Sequence, residues 1–184
     1  MSTGTLIVII VLVVVVLLAC ALAAWWVRRR RHLQQQFGPE YERTVAAKDS
    51  RQEAERDLRG REERHDALDI KPLSATTRDR YTHEWDGVQE RFVDQPDTAV
   101  QEADRLVTAL MSERGYPTEG YEQQLKDLSV EHGRTLEHYR AAHEVNGRSN
   151  RQEATTEELR GAMVHYRALF VELLHNGERP HDRS

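Results

Sequence analysis

Nine histidines and thirty-one acidic side chains are the raw material this chain offers for metal or acid–base chemistry. Their spacing decides what they can do. A carboxylate-bridged di-iron bundle takes Glu-x-x-His from each of two helices together with further inward glutamates. Glu62-x-x-His65 occurs once, inside a charged stretch. His138 and His143 stand five apart, about 140° around a helix, so the two rings diverge. His132 precedes that helix, and His165 lies on the last one beside Tyr166. A cluster of His143, His165 and a glutamate is the one arrangement left open, and it supports the alternative reading of a metal-binding sensor or enzyme with a His/carboxylate site. No metal or cofactor is expected on the leading reading.

Nucleophilic chemistry has less support. The only cysteine, Cys20, lies inside a long apolar run, and no serine sits in a glycine-flanked elbow or a phosphate-cradling loop. Carboxylates are too abundant to single out an acid–base pair. The chain is therefore expected to be no enzyme. From Arg78 to Glu172 there are nineteen acidic and twelve basic side chains, a difference of −7, whereas a phosphate backbone demands a basic stripe. Nucleic acid is excluded as an expected partner.

The elements that would position these residues follow from punctuation. Pro39, Pro72, Pro96, Pro117 and Pro180 all fall where a helix should start or stop. Between Ser74 and Val93, Tyr81, Trp85, Val88 and Phe92 recur at i, i+4, i+7 and i+11. After Asp94-Gln95-Pro96, Asp97 is placed to cap the next helix. Its stripe is Val100, Ala103, Leu106, Val107, Leu110 and Met111, and Gly115 stands where a left-handed cap is wanted. Tyr121, Leu125 and Leu128 predict a short helix before Gly133. Leu136, Tyr139, Ala142 and Val145 predict another, stopped by Asn146-Gly147.

Thr155 or Thr156 then caps a last helix bearing Leu159, Met163, Tyr166, Phe170 and Leu173, which Asn176-Gly177 should end. No β-branched stretch alternates apolar and polar residues as a strand would, outside the apolar run. An all-α chain follows, with a small antiparallel bundle of about five helices over 70–176 and a disordered tail over 177–184. Gly87 and Gly161 fall inside two of these helices, where either close helix contact or local flexibility accounts for them.

Upstream, the pattern is of another kind. Leu6 to Val27 is twenty-two residues without a charge, a helix of about 33 Å against a bilayer core of about 30 Å. Inside lipid such a segment satisfies its backbone only as a helix. Trp25 and Trp26 fall at its exit, the depth that suits an apolar ring with a polar N–H, and Arg28, Arg29, Arg30 and Arg31 follow at once. Residues 1–5 are expected as a short extracytoplasmic tail, since basic flanks stay inside. A cleaved signal peptide would want a basic n-region and a shorter apolar core before Ala21-Leu22-Ala23. Leu17-Leu18-Ala19-Cys20 is only a loose lipobox. The arginines also suit anionic lipid headgroups, at about 1 kcal/mol each. One cysteine allows no intramolecular disulfide.

Residues 28–69 read as a basic juxtamembrane segment and a charged stalk, helical or disordered, broken from the membrane helix at Gly38-Pro39. Glu55 to Arg59 and Asp57 to Arg61 are acid-before-base pairs at i,i+4. Between Glu40 and Leu68 large apolar residues are few, namely Tyr41, Val45, Leu58 and Leu68, and they hold no heptad. The chain carries a net charge of −5, and its mean hydropathy is −0.73 even with the apolar run included.

Trp85-x-x-Val88-Gln89-x-x-Phe92-Val93-Asp94-x-Pro96, Ala99-Val100-x-x-Ala103-Asp104-x-Leu106-Val107, Arg114-Gly115-Tyr116-Pro117 and Met163 to Phe170 resemble a family of uncharacterised actinobacterial proteins. The likeness spans about Arg80 to Leu174. It implies a helical domain behind variable amino-terminal regions, some of them membrane anchors, and no activity. Three lysines among twenty-six basic residues fit a GC-rich genome of that kind.

The expected protein is a single-pass plasma-membrane protein with a cytoplasmic C-terminal bundle that serves as an interaction or scaffold module. Its partners would be the lipid bilayer and a protein. Trp85, Tyr116 and Tyr166 are the aromatics suited to anchor a partner, although the core is the simpler place for them. The reverse topology, with the bundle facing the envelope, is the third reading.

Overall fold

The computed structural model describes residues 3–175, with side chains from residue 12 onward. The expected tail 177–184, the stop at Asn176-Gly177, Pro180, and Met1 and Ser2 of the tail 1–5 lie outside the described residues. Among the described residues the chain is all-helical, with eight helices and no strand.

α1 (Thr3–Phe37) runs unbroken through the apolar segment and the arginines. Leu12–Phe37 is long and apolar enough to cross a membrane. It ends where expected, because Gly38 takes φ 52, a conformation open to glycine, and Pro39 opens α2 (Pro39–Ala47). α3 (Arg51–Asp66) is capped by Ser50, whose Oγ accepts the Glu53 N–H at 3.2 Å.

The segment 28–69 is thus helical, but it does not stand apart as a solvated stalk. The reversal at Gly38 folds α2 back along the end of α1, and α3 then packs beside them. Leu33, Phe37, Tyr41 and Leu58 meet Val130 of α6 in a small second core. Phe37, Tyr41 and Leu58 are fully buried, each worth about 1.5–3 kcal/mol of gross apolar burial. The boundary expected at 69/70 is therefore crossed by packing, since α6 belongs to both cores.

The main core is built from α4 (Ala75–Phe92), α5 (Pro96–Arg114), α6 (Tyr121–His132), α7 (Leu136–Ser149) and α8 (Thr156–His175), the five helices expected. α5 lies between α4 and α8, and α7 pairs with α8. Gly115 ends α5 at φ 99 with its N–H on the Ser112 carbonyl, and a Cβ there would strike the Asp69 carbonyl. Thr155 and Glu158 form a reciprocal capping box on α8.

Four local expectations need correction. Asp97 does not cap α5; its carboxylate accepts the Ser149 hydroxyl at 2.5 Å. α7 continues through Asn146-Gly147, because Asn146 and Ser149 are buried and one glycine costs only about 1 kcal/mol. A Cβ at Gly87 or Gly161 would meet nothing within 4 Å, so neither marks a close helix contact. Of the two i,i+4 pairs, Asp57–Arg61 forms at 2.7 Å, whereas Arg59 donates to the Glu55 backbone carbonyl.

Candidate functional site

The residues most able to do chemistry fall into three places. The first is a buried chain of polar groups where α3, α6 and α8 meet. His132 is fully buried at the end of α6. Its Nδ1 lies 3.0 Å from Glu172 on α8, and its Nε2 lies 3.3 Å from the Tyr116 hydroxyl. Tyr116 in turn donates to Glu131 at 2.9 Å, and Thr135 donates to Glu172. Burial and the Glu131 carboxylate both push the Tyr116 phenol far up. Both imidazole nitrogens are occupied, so this ring ties α6 to α8 and to the turn after α5.

His65 on α3 faces the same cluster. Burial lowers its pKa, and Glu131, 3.8 Å away, offsets only part of that. Glu62, three residues earlier, turns away to His32 of α1 at 3.0 Å. The Glu62-x-x-His65 motif therefore does not converge on one point.

The second place is the join between α2, α3 and α7. Glu40 is buried, and its carboxylate receives Arg140 in a two-pronged contact at 2.8 and 2.9 Å together with Arg61 at 3.2 Å. Burial works against the Arg140 charge, but the Glu40 and Glu137 carboxylates outweigh it and raise its pKa. Beside this clamp a cleft of about 430 Å³ opens, lined by Arg43, Lys48, Lys126 and Tyr121 among others. On α6, Asp127 is fully buried and takes Arg64 at 3.1 Å and Gln123 at 2.8 Å.

The third place is the collar of α1. Trp25 and Trp26 are each 53% exposed, and Arg28 to Arg31 are exposed with them. The Arg29 guanidinium lies over the Trp25 ring, 4.8 Å from its centre.

The histidine cluster left open by the sequence does not form. His165 stacks on His138, with the two Nδ1 atoms 2.9 Å apart. His143 instead approaches Asp104 at 3.2 Å and stacks on Tyr121. Among the described residues no group of three or more His, Cys, Asp or Glu side chains converges as metal ligands do. The reason is rotational: α7 directs His138 toward α8 and His143 toward α5 and α6.

The aromatics considered for a partner are core residues. Trp85 (4% exposed) stacks on Phe170 with ring centres 4.6 Å apart. Tyr116 (3% exposed) belongs to the His132 chain, and the fully buried Tyr166 donates to Asp104 at 2.7 Å. None of them offers a surface. The bundle's own exposed large apolar residues among those described are Val93, Val164 and Val171. Sequence reasoning missed Glu40 and Asp127, whose burial no local pattern announces, since both sit in stretches dense with charge.

No protein family, curated protein or solved structure matches this chain.

Proposed function

We propose that the chain is a single-pass membrane protein whose helical bundle is an interaction or scaffold module held in a fixed pose at the membrane surface. One observation carries the reading. The apolar stretch of α1 is exposed at every residue from Leu12 to Val27, yet the same helix runs on without a break into Leu33 and Phe37, which are buried in the bundle's second core. A helix that apolar and that uncovered takes lipid as its solvent. Leu33 follows Val27 by six residues, about 9 Å of helix, so the globule sits against the headgroups.

The four arginines after the apolar run favour a cytoplasmic bundle and the plasma membrane of a bacterial cell. Tethering raises the local concentration of the bundle for any second membrane-bound partner, which is the physical advantage of such a module. The small lysine share, three of twenty-six basic residues, fits an actinobacterial source.

Protease treatment of spheroplasts tests the arrangement. The bundle should survive digestion from outside and be cut only after lysis, while staying with the membranes through a high-pH wash. Digestion in intact spheroplasts, or release by the wash, overturns it.

A further inference from the structure

The reversal at Gly38 has a geometric outcome at the exit of the apolar run. α2 leads the chain back toward Trp25, and α3 then runs alongside α1 in the same direction: Gln52, Glu55, Arg56 and Arg59 stand beside Trp25, Trp26 and Arg29, and Glu62 stands beside His32. Between them lies a cleft of about 320 Å³ lined by these first seven residues. That volume is within the range of small-ligand sites, about 300–1,000 Å³. Its indoles lie in the last turn of the uncharged run that ends at Val27, Arg29 lies just after it, and α3 brings Arg56 and Arg59 to the same level.

The cleft is cationic. Arg29, Arg56 and Arg59 face it, against one acid, Glu55, whose carboxylate already accepts the Tyr41 hydroxyl at 2.9 Å. Arg59 holds its Nε on the Glu55 backbone carbonyl at 2.8 Å, which orients the rest of its guanidinium without neutralising it. An indole floor with guanidinium walls, at the depth where hydrocarbon gives way to water, matches a glycerol backbone with its phosphodiester.

We infer that the cleft between α1 and the start of α3 binds the headgroup phosphate of an anionic glycerophospholipid from the bilayer that α1 spans. The inference rests on the membrane-spanning reading. It assigns α3 a task beyond that reading: seating the bundle on the bilayer through a lipid held at Arg56 and Arg59.

The experiment uses the full chain in bilayers of phosphatidylcholine mixed with phosphatidylglycerol, with either lipid brominated in its acyl chains, and reads tryptophan quenching. Trp25 and Trp26 report on the cleft, and Trp85 is shielded in the bundle core. Brominated phosphatidylglycerol should quench more strongly than brominated phosphatidylcholine at equal fraction. Arg56→Gln and Arg59→Gln should each lower that preference about fivefold, the worth of one basic residue at a membrane surface. Arg160→Gln, on the exposed start of α8, should leave it unchanged. Equal quenching by the two lipids, or a preference untouched by Arg56→Gln and Arg59→Gln, overturns the inference while the anchor stands. No quenching by either lipid overturns both.

Discussion

Gly133, just past the end of α6, lies under the carbonyl of Phe37, the last residue of α1: a Cβ on Gly133 would come within 2.5 Å of that oxygen. α1 and the bundle therefore touch backbone to backbone. Neither side can yield by turning a rotamer, because the atom in the way is main chain.

Gly133→Ala should accordingly lift the end of α1 off α6. Overpacking of this kind costs about 1–3 kcal/mol, and here the loss should fall on the second core of Phe37, Tyr41 and Val130 more than on the main one. Hydrogen exchange on the detergent-solubilised protein checks this. Protection should drop in α2 and α3 while α5 and α8 stay protected.

Glu40 is the ionic counterpart of that contact. Replacing it by alanine leaves Arg140 and Arg61 without their shared carboxylate, although Glu137 and Asp57 still reach one each. A loss of about 2–3 kcal/mol is expected in denaturant unfolding, in line with charged hydrogen bonds and below the cost of stripping a buried pair entirely. Glu40→Gln, which keeps the shape and two acceptor lone pairs, should lose less.

His65 makes the junction sensitive to acid. Burial lowers its folded pKa below the ordinary 6.5, so the unfolded chain binds the proton first as pH falls. Stability is then full above about pH 6.5 and declines below it by up to about 1.4 kcal/mol per pH unit, until the folded ring also titrates. Unfolding midpoints measured from neutral pH downward should show this slope. His65→Asn should flatten it.

The bundle helices were legible because their punctuation is local. Pro39 and Pro96 stand at first turns, Gly115 takes the left-handed cap, and Thr155 with Glu158 forms the capping box. The apolar run needed only its length. What stayed hidden was long-range. Leu33, Phe37 and Tyr41 recur at i, i+4 and i+8, but with Leu58 they come from three helices and meet only because the chain reverses at Gly38. Few apolar residues among many charges suggested a solvated stalk, yet these few suffice once α6 supplies Val130. Glu40 and Asp127 read as surface charges for the same reason, since their arginine partners lie up to a hundred residues away.

Whether α1 lies in lipid can be read directly from Cys20, a lone cysteine exposed on the face of that helix. A nitroxide attached there, with the protein reconstituted in bilayers, can be tested for collision with oxygen, which concentrates in hydrocarbon, and with a water-soluble nickel chelate. Collisions with oxygen should dominate by a wide margin. Dominance of the nickel chelate, or loss of Cys20 from the mature chain, would contradict the membrane-spanning α1 and the docked bundle built upon it.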